Sequence, residues 1–267
     1  MAEGEKVVRR LLESTFAVVS VLLPEKWLAG FEPLLAARPE KNIPVYVVTE
    51  KHVLEELVGF SMFQGVLAVG QIPRPAALAE ILARGSRPRL LVAVDGLTNA
   101  ENLGALVRNC AAFSVQALIV GETSSSPFLR RAVRNSMGTI FQLPVIETPG
   151  LVRTLRELRA QGIRCIAAHP HAESCSSGFG LSSTAAPAAP DRLKLELQQR
   201  TLSQTDFSGD CCIVFGSEGY GLDPSVLEAC DEAAAIPMPP TVDSLNVGSA
   251  AAVFLYEAGR QRGRASG

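Results

Sequence analysis

The chain has 267 residues, 47% hydrophobic and 19% charged, with a formal net charge of −2. That length holds one large domain or two small ones, and the apolar fraction suffices for a sizeable core. The charge excludes a protein coated in positive charge, and no apolar run reaches the roughly 18 residues of a membrane-spanning helix. The six cysteines (Cys110, Cys165, Cys175, Cys211, Cys212, Cys230) form no C-x-x-C pair and read as buried free thiols of a reducing compartment. The histidines of the HPH triplet, His169 and His171, have no neighbours that complete a ligand set, so no metal is expected. No signal-peptide pattern opens the chain, and a soluble, cytoplasmic protein is the expectation.

Residues 5–70 read as a small α/β unit. EKVVRRLLES predicts an amphipathic helix and FAVVSVLL a strand. PEKWLAGFEPLLAARPE predicts a helix opened by Pro24 and stopped near Pro39. IPVYVVT is read as a strand, KHVLEELVG as a helix and GVLAVGQI as a closing strand. The alternation implies a three-layer α/β domain over residues 1–72. Residues 73–88, with prolines at both ends of a short helical centre, suit a linker.

The second unit spans 89–267. Its predicted strands are LLVAVD, QALIVG, FQLPVIE, GIRCIAA, CCIVFG and EAAAIPM, apolar enough for a mostly parallel sheet buried on both faces. Helices are expected at about 102–113, 126–136, 150–161, 223–230 and 246–262. A flexible insertion is expected at about 170–208, where Ser, Ala, Gly and Pro accumulate without period.

Three loops follow predicted strands and open predicted helices, which is where α/β proteins bind ligands. In the first, Asn102 stands at a helix start, six residues before Arg108. Taken alone, the pair reads as an N-cap and a surface arginine. In the second, FGSEGYGL, the glycines do not have the dinucleotide-binding spacing, and Glu218 alone reads as a loop carboxylate. In the third, Ser244 or Asn246 makes an N-cap for an alanine-rich helix whose small residues permit close packing, inside the fold or across a dimer.

Together NAENLGALVRN, FGSEGYGL and IPMPPTVDSLNVGSAAAVFLYE resemble, in order and spacing, the three motifs of the SpoU (TrmH-like) branch of the SPOUT methyltransferases. The N-terminal unit is similar to the ribosomal-protein-like substrate-binding domain often fused to that family. The resemblance implies a trefoil-knotted C-terminal α/β domain, a homodimer and S-adenosylmethionine as cofactor. It implies Gly216, Ile236, Met238 and Leu245 as cofactor residues, and Asn102, Arg108, Glu218, Ser244 and Asn246 as the catalytic set. The implied substrate is a ribose 2′-hydroxyl of RNA, with ribosomal RNA favoured over transfer RNA by the accessory domain. An arginine, always protonated, suits positioning a phosphate and stabilising alkoxide better than acting as a base. The chain departs from the family pattern at Ser114, where glycine is more frequent, and at Pro240 and Gly248. Basic residues offered for RNA are Arg130, Arg131 and Arg134, and Arg260, Arg262 and Arg264. The competing class is a non-catalytic RNA-binding or ribosome-assembly protein that keeps the fold. Cofactor binding and methyl transfer would discriminate the two.

Overall fold

A computed structural model describes residues 1–49, 51–59, 65–75, 77–169, 199–239 and 241–263. The first half of the chain builds β1 (Ala2–Glu3), α1 (Glu5–Leu12), β2 (Val18–Pro24), α2 (Leu28–Ala36), β3 (Val45–Val48), α3 (Lys51–Val58) and β4 (Leu67–Gly70). These strands form one sheet in the order β1-β4-β2-β3, with β2 and β3 parallel and the other pairs antiparallel. In α1 the residues Val7, Val8, Leu11 and Leu12 fall on one helical stripe and are buried, while Glu5 and Arg9 pair on the other side at 3.0 Å. Strand β1 was not legible in the sequence, because two residues carry no alternation. Pro24 closes β2 instead of opening a helix, and a 3-10 turn at Glu25–Trp27 precedes α2.

The second half builds α4 (Leu78–Arg84), β5 (Leu90–Val94), α5 (Ala100–Ala112), β6 (Ala117–Val120), α6 (Arg130–Asn135), β7 (Val145–Glu147), α7 (Leu151–Ala160) and β8 (Arg164–His169). It continues with β9 (Gln199–Thr201), β10 (Cys211–Phe215), α8 (Pro224–Glu228), β11 (Glu232–Ala235) and α9 (Val247–Gln261). The strand order is β7-β6-β5-β10-β8-β11-β9, and every neighbouring pair is parallel. Apolar clusters cover both faces, as near-continuous apolar strands require. Because all strands run the same way, the loops after β5, β10 and β11 gather at one edge. Strands β5 and β10 are neighbours, which brings the loops that follow them side by side.

Several expectations are corrected here. The 73–88 stretch is not a free spacer, since Leu82 of α4 is buried in the cluster beneath the large sheet, with Leu78 and Ile81 against it. The expected strand at 141–147 is only β7, preceded by a 3-10 turn at Thr139–Gln142, because Pro144 has no N–H for a ladder. Of the expected flexible insertion, 170–198 lies outside the described residues. Residues 199–208 supply the edge strand β9 and the buried Leu202 and Phe207. The ring of Phe207 meets Phe254 of α9 edge-on at 6.4 Å, a tertiary contact that a polar, aperiodic sequence does not announce.

The two halves share an apolar cluster. Phe16 packs on Phe141 at 5.4 Å and on Phe128 at 6.0 Å between ring centres. Glu3, only 4% exposed, accepts from both Arg130 and Arg134, and Arg10 donates to the Met137 carbonyl at 2.7 Å. Ser114, just past α5, has φ 56°, in the left-handed region that glycine occupies without strain. Among the described residues no helix is long and apolar enough to cross a membrane.

Candidate functional site

The site grows from the end of β5. Asp95 is buried and accepts from the Thr123 hydroxyl at 3.0 Å and from the Asp223 N–H at 2.8 Å. One carboxylate thus pins the loops after β5, β6 and β10 to each other. Helix α5 is capped by Asn99, whose side chain accepts from the N–H groups of Glu101 at 2.8 Å and Asn102 at 3.1 Å. The cap is therefore Asn99 and not Asn102. That leaves the Asn102 amide group available for tertiary contacts.

Asn246 is the N-cap of α9, and its Oδ1 accepts from the Gly248 N–H at 2.9 Å. With the oxygen committed to the cap, its Nδ2 donates to Asn102 Oδ1, also at 2.9 Å. Asn102 Nδ2 in turn donates to Glu218 Oε1. The chain of amides runs one way and ends on the carboxyl oxygen of Glu218, which accepts. The first turn of α5, the loop after β10 and the N-cap of α9 are thus joined in one network. Behind it, α5 and α9 approach closely. Asn109 Nδ2 donates to the Gly248 carbonyl at 2.6 Å, and a Cβ at Gly248 would lie 3.0 Å from that of Ala105. Gly104 is likewise required by packing, since a Cβ there would meet the Ala132 carbonyl at 2.5 Å on α6.

Loop 216–222 is held tightly. Ser217 and Gly221 exchange both backbone hydrogen bonds at 3.0 Å, and Gly221 turns the chain with φ 70°. Gly216 has no room for a side chain, as a Cβ would sit 2.5 Å from the Leu222 nitrogen and closer still to the Gly221 carbonyl. At the start of α8, Asp223 caps through Ser225, and the Ser225 hydroxyl and N–H hold its carboxyl below the usual range.

A cavity of about 540 Å³ opens among these loops. Gly216, Glu218, Ile236, Met238, Ser244 and Leu245 line it. Asn102 and Asn246 reach it only through Glu218. Arg108 is exposed on α5, outside the lining and outside the amide network. His169, Glu228 and Asp243 also line the cavity; the HPH triplet drew attention to His169 only as a metal ligand, and no sequence signal marked the two acids. Asp95 carried one in retrospect, as an acidic residue ending an apolar strand. Pro240 lies outside the described residues, as do His171 and Arg264.

Residues 89–256 match the SpoU rRNA Methylase family. The chain belongs to the SpoU family. Its relatives include an "Uncharacterized tRNA/rRNA methyltransferase" of Mycobacterium tuberculosis, 32% identical over 258 residues, 96% of this chain and 79% of that one. The 23S rRNA (guanosine-2′-O-)-methyltransferase RlmB of Shewanella oneidensis is 32% identical over 218 residues, covering 80% and 78% of the two chains. Among solved structures, the SpoU methyltransferase AviRb of Streptomyces viridochromogenes, in complex with AdoMet, aligns with a TM-score of 0.73 at 24% identity. The alignment covers 98% of this chain and 89% of that one. An RNA 2′-O ribose methyltransferase aligns with a TM-score of 0.72 at 26% identity, covering 98% and 88%.

Several of the basic residues offered for RNA are engaged within this SpoU methyltransferase, while Arg131 stands exposed on α6. Arg130 and Arg134 are engaged by Glu3, and Arg260 pairs with Glu257 at 2.8 Å. Arg262 is no solvated tail residue. It donates to the carbonyls of Phe207, Pro88, Arg89 and Gly209, clasping the end of α9 to the sheet. Charge counting along the sequence cannot see these partners. The five described cysteines are all buried, and desolvation raises the Cys211 thiol to about 11.

Proposed function

We propose that this chain is an S-adenosylmethionine-dependent methyltransferase acting on a ribose 2′-hydroxyl of RNA, in ribosomal rather than transfer RNA. The observation that carries the reading is the one-way hydrogen-bond network Asn246–Asn102–Glu218 at the cavity mouth. The RlmB relatives, named as acting on the guanosine 2′-oxygen of 23S rRNA, support the ribose and the ribosomal substrate.

The cavity fits the cofactor in kind. Its volume lies within the usual range for small-molecule sites, about 300–1,000 Å³. Ile236, Met238, Leu245 and Phe254 offer an apolar wall for a purine, while Glu218, Glu228 and Asp243 bring negative charge toward a sulfonium and an ammonium. Gly216 lets the backbone come close. When bound, S-adenosylmethionine supplies an electrophilic methyl group.

The residues of the chain do the rest. Asn102 fixes Oε1 of Glu218, leaving Oε2 to accept a hydrogen bond from the ribose hydroxyl or to hold Arg108. Arg108, a rigid guanidinium fork, positions the phosphate and stabilises charge developing on the attacking oxygen. Ser244, exposed at the cavity edge, helps to shape the loop around the methyl donor.

The same reading includes a homodimer and a knotted path for the C-terminal half. Val253 and Tyr256 stand exposed on the outer face of α9 and suit an interface. The path is supported by β10, which enters the sheet between the earlier strands β5 and β8.

The test is transfer of labelled methyl from S-adenosylmethionine to ribosomal RNA lacking its 2′-O-methyl groups, followed by nuclease digestion and nucleoside analysis. Label should appear in 2′-O-methylnucleosides, and Asn102→Ala should lower it at least ten-fold. Label confined to bases, or none with any RNA despite cofactor binding, would refute the assignment.

A further inference from the structure

The side chain of Tyr220 is 98% exposed on the rim of the cavity. Its neighbours are not loose. The backbone exchange between Ser217 and Gly221 closes the turn, and the Tyr220 N–H donates to the Ser217 hydroxyl at 3.1 Å. The turn stands on Gly216, which is clamped against Gly221 and Leu222. A rigid turn thus presents a large aromatic ring on which nothing from the chain packs. Such a ring recovers its apolar burial only from a partner.

We propose that Tyr220 is the platform on which a base of the substrate RNA stacks, so that the ring positions the nucleotide whose ribose meets Glu218. This rests on the ribose-methylation reading above. Tyr220 is two residues from Glu218, and a base is bonded to C1′, the carbon next to the one bearing the 2′-oxygen. A ribose placed at Glu218 therefore carries its base within reach of the rim. The cavity that Tyr220 borders is lined by the acids Glu218, Glu228 and Asp243, so it does not draw phosphates. Stacking is the recognition left to such a rim, and unstacked RNA bases commonly dock on aromatic faces.

The experiment uses the full chain and two labelled probes, a single-stranded oligoadenylate of about twelve nucleotides and the same backbone with abasic riboses. Binding is read by fluorescence anisotropy. The wild type should prefer the base-bearing probe by on the order of ten-fold. Tyr220→Phe should keep that preference. Tyr220→Ala and Tyr220→Leu should lose it, the latter because a branched apolar chain has no ring face. Affinity for S-adenosylmethionine and mass by light scattering should not move in any variant.

Equal binding of the two probes by the wild type, or an unchanged preference in Tyr220→Ala, overturns the proposal. So does a matching loss of cofactor affinity, which would give the ring to the cofactor. A change of oligomeric mass would give it to a subunit interface and overturn the proposal as well. Methyl transfer is scored separately. A ring-dependent base preference in a protein that transfers no methyl to ribose would sink the functional reading while supporting the platform.

Discussion

Replacing Gly216 with alanine tests how the cofactor loop is built. The added Cβ would lie 2.5 Å from the Leu222 nitrogen and closer to the Gly221 carbonyl, where ordinary contact begins at 3.4 Å. Both neighbours are backbone, so no flexible side-chain end can swing away. The turn must shift by about 1 Å, and Glu218 travels with it. Overpacking of this kind costs about 1–3 kcal/mol. For a chain of this size each kcal/mol lowers Tm by about 2–4 °C. The catalytic loss should be larger than the stability loss, since a misplacement of about 1 Å can reduce rate by about 100-fold. Thermal unfolding, calorimetric titration with S-adenosylmethionine and methyl transfer to RNA measure the three effects. Cofactor affinity within two-fold of wild type, with unchanged Tm, would show that the loop yields freely and that its close packing is not functional.

Further outcomes follow from other sites. Arg108→Ala should nearly abolish methylation while S-adenosylmethionine affinity stays within a few-fold, because the side chain stands outside the cavity lining; activity near wild type would remove its assigned role. Arg108→Lys should fail as well, since a point charge does not reproduce the guanidinium fork. Phe207→Ala should cost about 3–5 kcal/mol in denaturant unfolding, as the ring is fully buried against Phe254; a loss under about 1 kcal/mol would mean that 199–208 does not pack as described. Glu40 is held at about 2, against its ordinary 4.5, by the Arg38 side chain and then the Val18 N–H. A carboxylate depressed on folding contributes stability above its unfolded pKa and loses it as pH falls through the folded one. Stability should therefore decline from about pH 4.5 to about pH 2, and Glu40→Gln should flatten that decline; parallel pH profiles would refute the assignment.

Much of the fold was legible because its signals are local. Val7, Val8, Leu11 and Leu12 mark a helix by spacing, and CCIVF and LLVAV mark buried parallel strands by unbroken apolarity. The three motif loops were legible because glycine, asparagine and proline record backbone needs that adjacent residues impose. Gly216 records a close approach, and Ser114 occupies a left-handed position where glycine is more frequent.

Partnership was not legible. The sequence by itself determined a mostly parallel α/β unit with three loops of one family's spelling, because periodicity and turn chemistry act over a few residues. Only the tertiary structure decided that Asn99 is the cap, freeing Asn102 for Glu218 and Asn246, residues more than a hundred positions away. It alone decided that Arg130, Arg134 and Arg262 are engaged within the chain, and that the ring of Tyr220 stands exposed. The physical reason is that a hydrogen bond or ion pair acts over about 3 Å in space, with no regard for separation along the chain.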